Sequence, residues 1–234
     1  MKTFVTTMLL ALAATAAHAQ APTLTAPASP AKAQRFALAL NLDATWPGDD
    51  GYRLYDANQM LGAGGLSLAW DAFRADKRLV VAPFVEWQGE RAEGAWMRDG
   101  DASLEAHNVA VGVRPRFHVR PWLAPFVRLG GGVTFAQTAL ELASAPGRLT
   151  ADSRSYFVRA GAGVELRSRA AALGPNLPKV ALSISVEGGY LLATALELDL
   201  TLDGARPGIP TGSVPLGELE RSRPYGRVGI ALHF

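Results

Sequence analysis

From Arg35 to Phe234 the chain alternates apolar residues with small or polar ones, with period two, in eight separate segments. A period of two is the signature of a pleated strand, whose successive side chains leave opposite faces. In the first segment Phe36, Leu38, Leu40, Leu42 and Trp46 share one face, against Ala37, Ala39, Asn41, Asp43 and Thr45. The second carries Leu66, Leu68 and Trp70, and the third Val81, Val85 and Trp87, with Phe84 displaced onto the polar face. The fourth carries Val109, Val111, Val113 and Phe117; the fifth carries Val127, Leu129, Val133 and Phe135. The sixth carries Tyr156, Val158, Val164 and Leu166; the seventh carries Leu182, Ile184, Val186 and Tyr190. The eighth carries Val228, Ile230, Leu232 and Phe234.

Connections after the second, fourth and sixth segments are short, and the others are long and rich in Gly, Pro, Asp and Arg. Eight strands with short turns at one end and long loops at the other predict an all-β fold. The expected architecture is an eight-stranded antiparallel transmembrane β-barrel, an up-and-down meander over residues 35–234. A lipid-exposed sheet must close on itself, because every backbone N–H and C=O in hydrocarbon needs a partner. The face opposite the apolar one is mostly Gly, Ala and Ser with scattered Arg and Glu. That suits a narrow lumen filled by side chains better than the apolar pocket of a soluble barrel. Trp46, Trp87, Trp122, Tyr156, Tyr190 and Tyr225 fall near the expected strand ends, where aromatic girdles meet the membrane surface.

Residues 1–19, MKTFVTTMLLALAATAAHA, have a basic start, a short apolar core and Ala17-His18-Ala19 as a cleavage site, so they predict a signal peptide. Residues 20–34, rich in Ala and Pro, predict a flexible periplasmic lead-in. At 49% apolar and 19% charged residues the chain is too apolar for disorder, and a net charge of +2 gives no electrostatic footprint for nucleic acid. The absence of cysteine excludes disulfides, thiolate metal sites and a lipidated N-terminal Cys.

The inner face predicts a set of lumen ion pairs between Glu86, Glu165 and Glu187 and Arg116, Arg128, Arg159 and Arg227, with Arg114 and Arg167 near the strand ends. Charges in so narrow a space must pair, because isolated buried charges are costly. No catalytic residue, metal ligand or cofactor site is expected. His107 lies beside Glu105 and near Ser103, but His118 falls in a turn and His233 at the chain end. Gly130-Gly131-Gly132 is followed by neither a helix pattern nor a Lys-Ser/Thr pair, so it is not a phosphate loop.

The chain stops at Tyr225-Gly226-Arg227-Val228-Gly229-Ile230-Ala231-Leu232-His233-Phe234, apolar at every second position and ending on Phe. This last strand resembles the C-terminal signal of outer-membrane barrels. With the strand count, the chain resembles the family of small eight-stranded barrels that includes the OmpA transmembrane domain, OmpX and OmpW. The resemblance implies a monomer in the bacterial outer membrane, in contact with its lipid and lipopolysaccharide. It also implies Tyr225, Val228, Ile230, Leu232 and Phe234 as the assembly signal read by the barrel-assembly machinery. It points to a structural or interaction role. The alternatives are a narrow channel or transporter for small hydrophobic solutes and, third, a lipid A-modifying enzyme.

Thr138-Ala-Leu-Glu-Leu142 recurs as Thr194-Ala-Leu-Glu-Leu198, each after a strand rising from the short-turn end. The alternation then runs on through Leu200 and Leu202, in phase with Val180 to Tyr190. That stretch is longer than a bilayer core, so the sheet is expected to continue above the membrane. Leu140, Leu142, Leu196, Leu198, Leu200 and Leu202 would form an apolar loop cluster there, either a small extracellular core or a lip for apolar ligands.

Overall fold

The computed structural model describes residues 35–47, 60–74, 78–96, 100–142, 148–169, 171–172, 179–203 and 214–234. The predicted signal peptide and the lead-in to residue 34 lie outside the described residues. Among the described residues there is no helix. The strands are β1 (Phe36–Thr45), β2 (Leu61–Trp70), β3 (Phe73–Arg74), β4 (Leu79–Trp96), β5 (Gly100–Phe117) and β6 (Leu123–Leu142). They continue with β7 (Arg148–Arg167), β8 (Ala171–Ala172), β9 (Lys179–Ala193), β10 (Leu196–Asp203), β11 (Val214–Leu219) and β12 (Arg223–His233).

Eight of these close a barrel in meander order, β1-β2-β4-β5-β6-β7-β9-β12, every neighbour antiparallel. Closure is made by β12 on β1, in register from Ala37 with His233 to Thr45 with Tyr225. The seam is finished by Arg35 and Phe36, whose amides donate to the Phe234 carbonyl at 2.9 and 3.0 Å. No barrel strand therefore presents an unpaired edge at this level, which is what hydrocarbon demands.

The outer face is apolar. Among the described residues thirty-three large hydrophobic side chains stand exposed, up to 71% for Leu42. Such a belt is far larger than the few hundred Å² a soluble monomer shows as one patch. In β7 the outward row from Tyr156 to Leu166 spans eleven residues. At about 3.4 Å per residue and a tilt of about 40° this gives a band about 26 Å high, the thickness of a membrane's hydrocarbon. β6 and β7 have 20 residues each, so they rise about 50 Å by the same arithmetic. The walls of β4 to β7 thus project well above the band.

Two sequence expectations are corrected. The alternation of β9 does not run through β10 in phase. β7 pairs β9 as far as Phe157 with Ala193 and resumes on β10 at Thr150 with Thr201. Between these pairs six residues on the β7 side, 151–156, face seven on the other, 194–200. The one extra residue, at Thr194–Ala195, is a bulge, and a single-residue slip exchanges the two faces of a strand. Thr194 holds the break: its amide donates to Tyr156 O at 2.9 Å, and its carbonyl accepts from Ser155 Oγ at 2.7 Å. Leu196, Leu198 and Leu200 are consequently turned inward. The second correction is Tyr225. It lies in phase with Arg227 inside the barrel, 3% exposed, whereas Trp46, Trp87, Trp122, Tyr156 and Tyr190 face outward.

The lumen is filled by a repeated motif of glycine, aromatic ring and guanidinium. Phe84 lies over Gly112 and Gly130 of the facing strands, where an added Cβ would stand 2.6 and 3.0 Å from its Cζ. Arg128 covers the ring at 3.9 Å. Phe126 lies likewise over Gly163 and beneath Arg114. Tyr225 lies over Gly189 and beneath Arg159. The inward glycines therefore make room for rings, and the rings give the guanidiniums a flat, quadrupolar surface. The displaced Phe84 of the third segment is explained in this way.

Candidate functional site: the charged lumen and its apolar cap

The buried charges fall into three layers. In the lowest, Arg114 Nη2 donates to Glu165 Oε2 at 2.8 Å, Arg116 Nη1 reaches the same carboxylate at 3.4 Å, and Arg116 also pairs with Asp71. His233 Nε2 stands 2.8 Å from Ser183 Oγ and 3.4 Å from Glu165 Oε1. Ser, His and carboxylate thus meet, but both partners address the same ring nitrogen. A nucleophilic relay needs the carboxylate on the opposite nitrogen, so this is a buried contact and not a triad.

The middle layer is organised by Arg227. Its Nε and Nη2 donate to both oxygens of Asp43 at 2.7 Å, and its Nη1 and Nη2 reach both oxygens of Glu86 at 2.7 and 2.9 Å. One planar fork therefore clamps β12 to β1 and to β4 across the lumen. Arg159 Nη1 reaches Glu86 at 3.1 Å and Asp43 at 3.2 Å, while its Nη2 donates to Gln88 Oε1 at 3.0 Å. Arg128 pairs with Glu86 and lies 3.9 Å from Glu187, whose other oxygen accepts the Tyr225 hydroxyl. Three carboxylates meet three guanidiniums, so this layer is neutral.

The upper layer is smaller. Glu90 Oε2 accepts from Arg223 Nη2 at 2.7 Å and from Arg221 Nη2 at 3.3 Å. Above it lies a cluster of buried apolar side chains. Leu61, Leu104, Leu140, Leu196, Leu198, Leu200 and Leu219 meet there over a floor of alanines from β4 to β7.

All seven sequence-predicted lumen residues, Glu86, Arg116, Arg128, Arg159, Glu165, Glu187 and Arg227, are buried and carry ion pairs or charge-assisted hydrogen bonds. Asp43, Asp71, Glu90, Arg221 and Arg223 are additional members. Asp43 and Glu90 lie on the inward phase of their strands, with Asn41 and Thr45 and with Glu86, and Arg223 lies in phase with Arg227; Asp71, just after β2, and Arg221, just before β12, continue the inward phase of those strands, which is the signal that identifies them. Leu140, Leu196, Leu198 and Leu200 converge in the cap. The side chains of Leu142 and Leu202 lie outside the described residues. Of the assembly-signal residues, Val228, Ile230, Leu232 and Phe234 form one outward row, with Phe234 stacked on Phe36 at 6.1 Å. Tyr225 stands on the opposite face.

His107 faces outward at the membrane rim, stacked on Trp87 at 5.8 Å, with Glu105 at 3.6 Å. In the short turn after β5, partial burial and then Arg116 hold His118 below the usual histidine range. Among the described residues no three His, Asp or Glu side chains converge as a metal site would require.

A closed antiparallel sheet with an apolar belt outside and paired charges inside defines the class: this is a small outer-membrane β-barrel with eight strands. No family model and no curated protein matches the chain. Among solved structures it is similar to Neisserial surface protein A, at 13% identity over 85% of this chain and 97% of that one, with a TM-score of 0.43. It is also similar to Ail, the attachment invasion locus protein of Yersinia pestis, at 10% identity over 86% and 98%, with a TM-score of 0.43. The translocator domain of the autotransporter NalP from Neisseria meningitidis is similar at 8% identity over 98% of each chain, with a TM-score of 0.39. The assignment to the class rests on the barrel's own geometry.

Proposed function

We propose that the protein is a closed, non-catalytic monomer of the bacterial outer membrane that presents extracellular strands and loops, a structural and interaction role. Lipid and lipopolysaccharide surround its apolar belt, and the barrel-assembly machinery inserts it. The observation that carries the reading is the Arg227 clamp. A guanidinium bonded at once to Asp43 and Glu86 bridges the lumen, and an eight-stranded barrel is just wide enough for its own side chains. The leucine cap above adds a second closure. Purified protein in planar bilayers is expected to give no reproducible conductance steps. Regular steps that change size in an Arg227→Met variant would refute the closed-lumen reading.

A second reading, a narrow conduit for small hydrophobic solutes, is favoured by one observation, the leucines turned inward at the mouth. Leu140→Asp combined with Leu198→Asp separates the two. Loss of hydrophobic-solute uptake from an intact barrel supports the conduit, and loss of order in the extracellular strands without any change in uptake supports the closed cap.

A further inference from the structure

The two ends of the barrel carry opposite charge. At the short-turn end Arg35, Arg74, Arg78, Arg120, Arg169 and Lys179 are all exposed. No carboxylate side chain is exposed there among the described residues. Asp71 is 5% exposed and is held by Arg116, with Arg74 at 3.8 Å. Asp76, the other acid of these turns, lies in the sequence between Arg74 and the pair Lys77-Arg78. On the described strands above the belt the balance reverses, and exposed carboxylates outnumber exposed guanidiniums nine to three.

The cations do not gather on one side. Arg35 precedes β1, Arg74 and Arg78 flank the turn into β4, Arg120 lies in the turn between β5 and β6, Arg169 follows β7 and Lys179 opens β9. Every passage of the chain at that end thus bears a cation, and together they encircle the barrel. Beside them the belt ends in exposed rings, those of Phe36, Trp70, Phe73, Phe117, Trp122 and Phe234. Aromatic rings at the edge of a belt mark the headgroup level. A guanidinium or ammonium there lays its stem along apolar surface and holds its charge among the headgroups. Its acceptor at that depth is a phosphate, which the guanidinium fork fits.

We propose that the short-turn rim is a binding surface for anionic phospholipids of the periplasmic leaflet, those whose phosphate has no compensating amine, such as phosphatidylglycerol. The proposal rests on the reading of a lipid-surrounded outer-membrane barrel and is independent of whether the lumen conducts. A zwitterionic headgroup offers the same phosphate but brings its own ammonium, so the ring gains little from it. An acidic polymer in the periplasm would need cations gathered on one accessible patch, whereas these surround the barrel beside its aromatic girdle. Each cation near an anionic surface favours association by about fivefold.

The test uses the whole protein in phosphatidylcholine vesicles, with Trp46, Trp87 and Trp96 replaced by Phe so that Trp70 and Trp122 report from the short-turn rim. Brominated phosphatidylglycerol, or brominated phosphatidylcholine as the reference, makes up about a tenth of the lipid at low salt. Brominated phosphatidylglycerol is expected to quench as a lipid enriched at the rim by about threefold or more over the reference. The enrichment should vanish in about 0.5 M NaCl and in the variant combining Arg74→Gln, Arg78→Gln, Arg120→Gln and Arg169→Gln. It should persist when Arg91, Arg148 and Arg154, at the far end, are replaced by Gln instead. Equal quenching by the two lipids overturns the proposal, as does enrichment that survives in the short-turn variant. Capture of detergent-solubilised protein on lipid-free peptidoglycan, without any lipid preference, overturns it in favour of a polymer partner. If neither lipid quenches, the rim does not meet a bilayer, and the barrel reading falls with the proposal. Should the short-turn variant not fold, the lipid comparison and its salt dependence in the unsubstituted rim still decide.

Discussion

Arg227→Met removes one side chain that holds two carboxylates in the middle of the lumen. The substitution keeps the apolar stem and deletes four short charge-assisted contacts of 2.7 to 2.9 Å, two to Asp43 and two to Glu86. Breaking a buried pair by removing one partner costs about 3–5 kcal/mol, because a charge is left uncompensated. Here neither carboxylate is wholly abandoned. Glu86 keeps Arg128 and Arg159, and Asp43 keeps Arg159 at 3.2 Å and the Gln88 amide at 2.7 Å. The expected loss is thus at the lower end, about 3 kcal/mol, or roughly a hundredfold in the unfolding equilibrium. The middle layer is left one negative charge in excess, so Glu86→Gln placed in the same chain restores neutrality. The double variant should lose at least about 1 kcal/mol less than the two single losses added together. Urea unfolding in lipid vesicles, followed by the fluorescence of the outward-facing Trp46, Trp87 and Trp122, measures all three variants. A loss below about 1 kcal/mol for Arg227→Met, or additivity within about 0.5 kcal/mol, would refute the view that the clamp is one coupled unit.

Gly132→Ala should destabilise the barrel by about 1–3 kcal/mol, since the new methyl would fall on the Val109 carbonyl and stand 2.8 Å from Ala110 Cα and 2.9 Å from Phe157 Cζ. Gly188→Ala, where nothing lies within 4 Å, should stay within about 0.5 kcal/mol; equal effects at the two sites would contradict the inward and outward assignment. Leu198→Asp alone places a carboxylate among buried leucines and should raise protease sensitivity above the membrane while the heat-modifiable barrel core survives on gels. Deleting Phe234 removes only about 1.5–3 kcal/mol of apolar contact, so a surface level cut far more than tenfold would mark it as part of an assembly signal, and near-normal levels would count against that role.

The alternation of each segment determined, with no tertiary information, which residues face lipid and which face the lumen. The pleat is local: the side-chain period of two holds wherever the strand is unbroken, so Val109 to Phe117 and Tyr156 to Leu166 could be assigned to the outside from the sequence alone. The same parity already contained Asp43, Glu90, Arg221 and Arg223 as inward charges. Which carboxylate meets which guanidinium was decided only by closure. Asp43 and Arg227 are 184 residues apart and meet because β12 returns to β1, with the register setting their heights. Tyr225 was read as a rim aromatic by its nearness to a strand end, but its phase with Arg227 sends it inside, where a glycine on the next strand leaves room for the ring. The inward turn of Leu196, Leu198 and Leu200 likewise follows from one extra residue between two ladders. A bulge leaves no mark on the residues' own polarity, and only the hydrogen-bond register between β7 and its two partners reveals that the faces have changed sides.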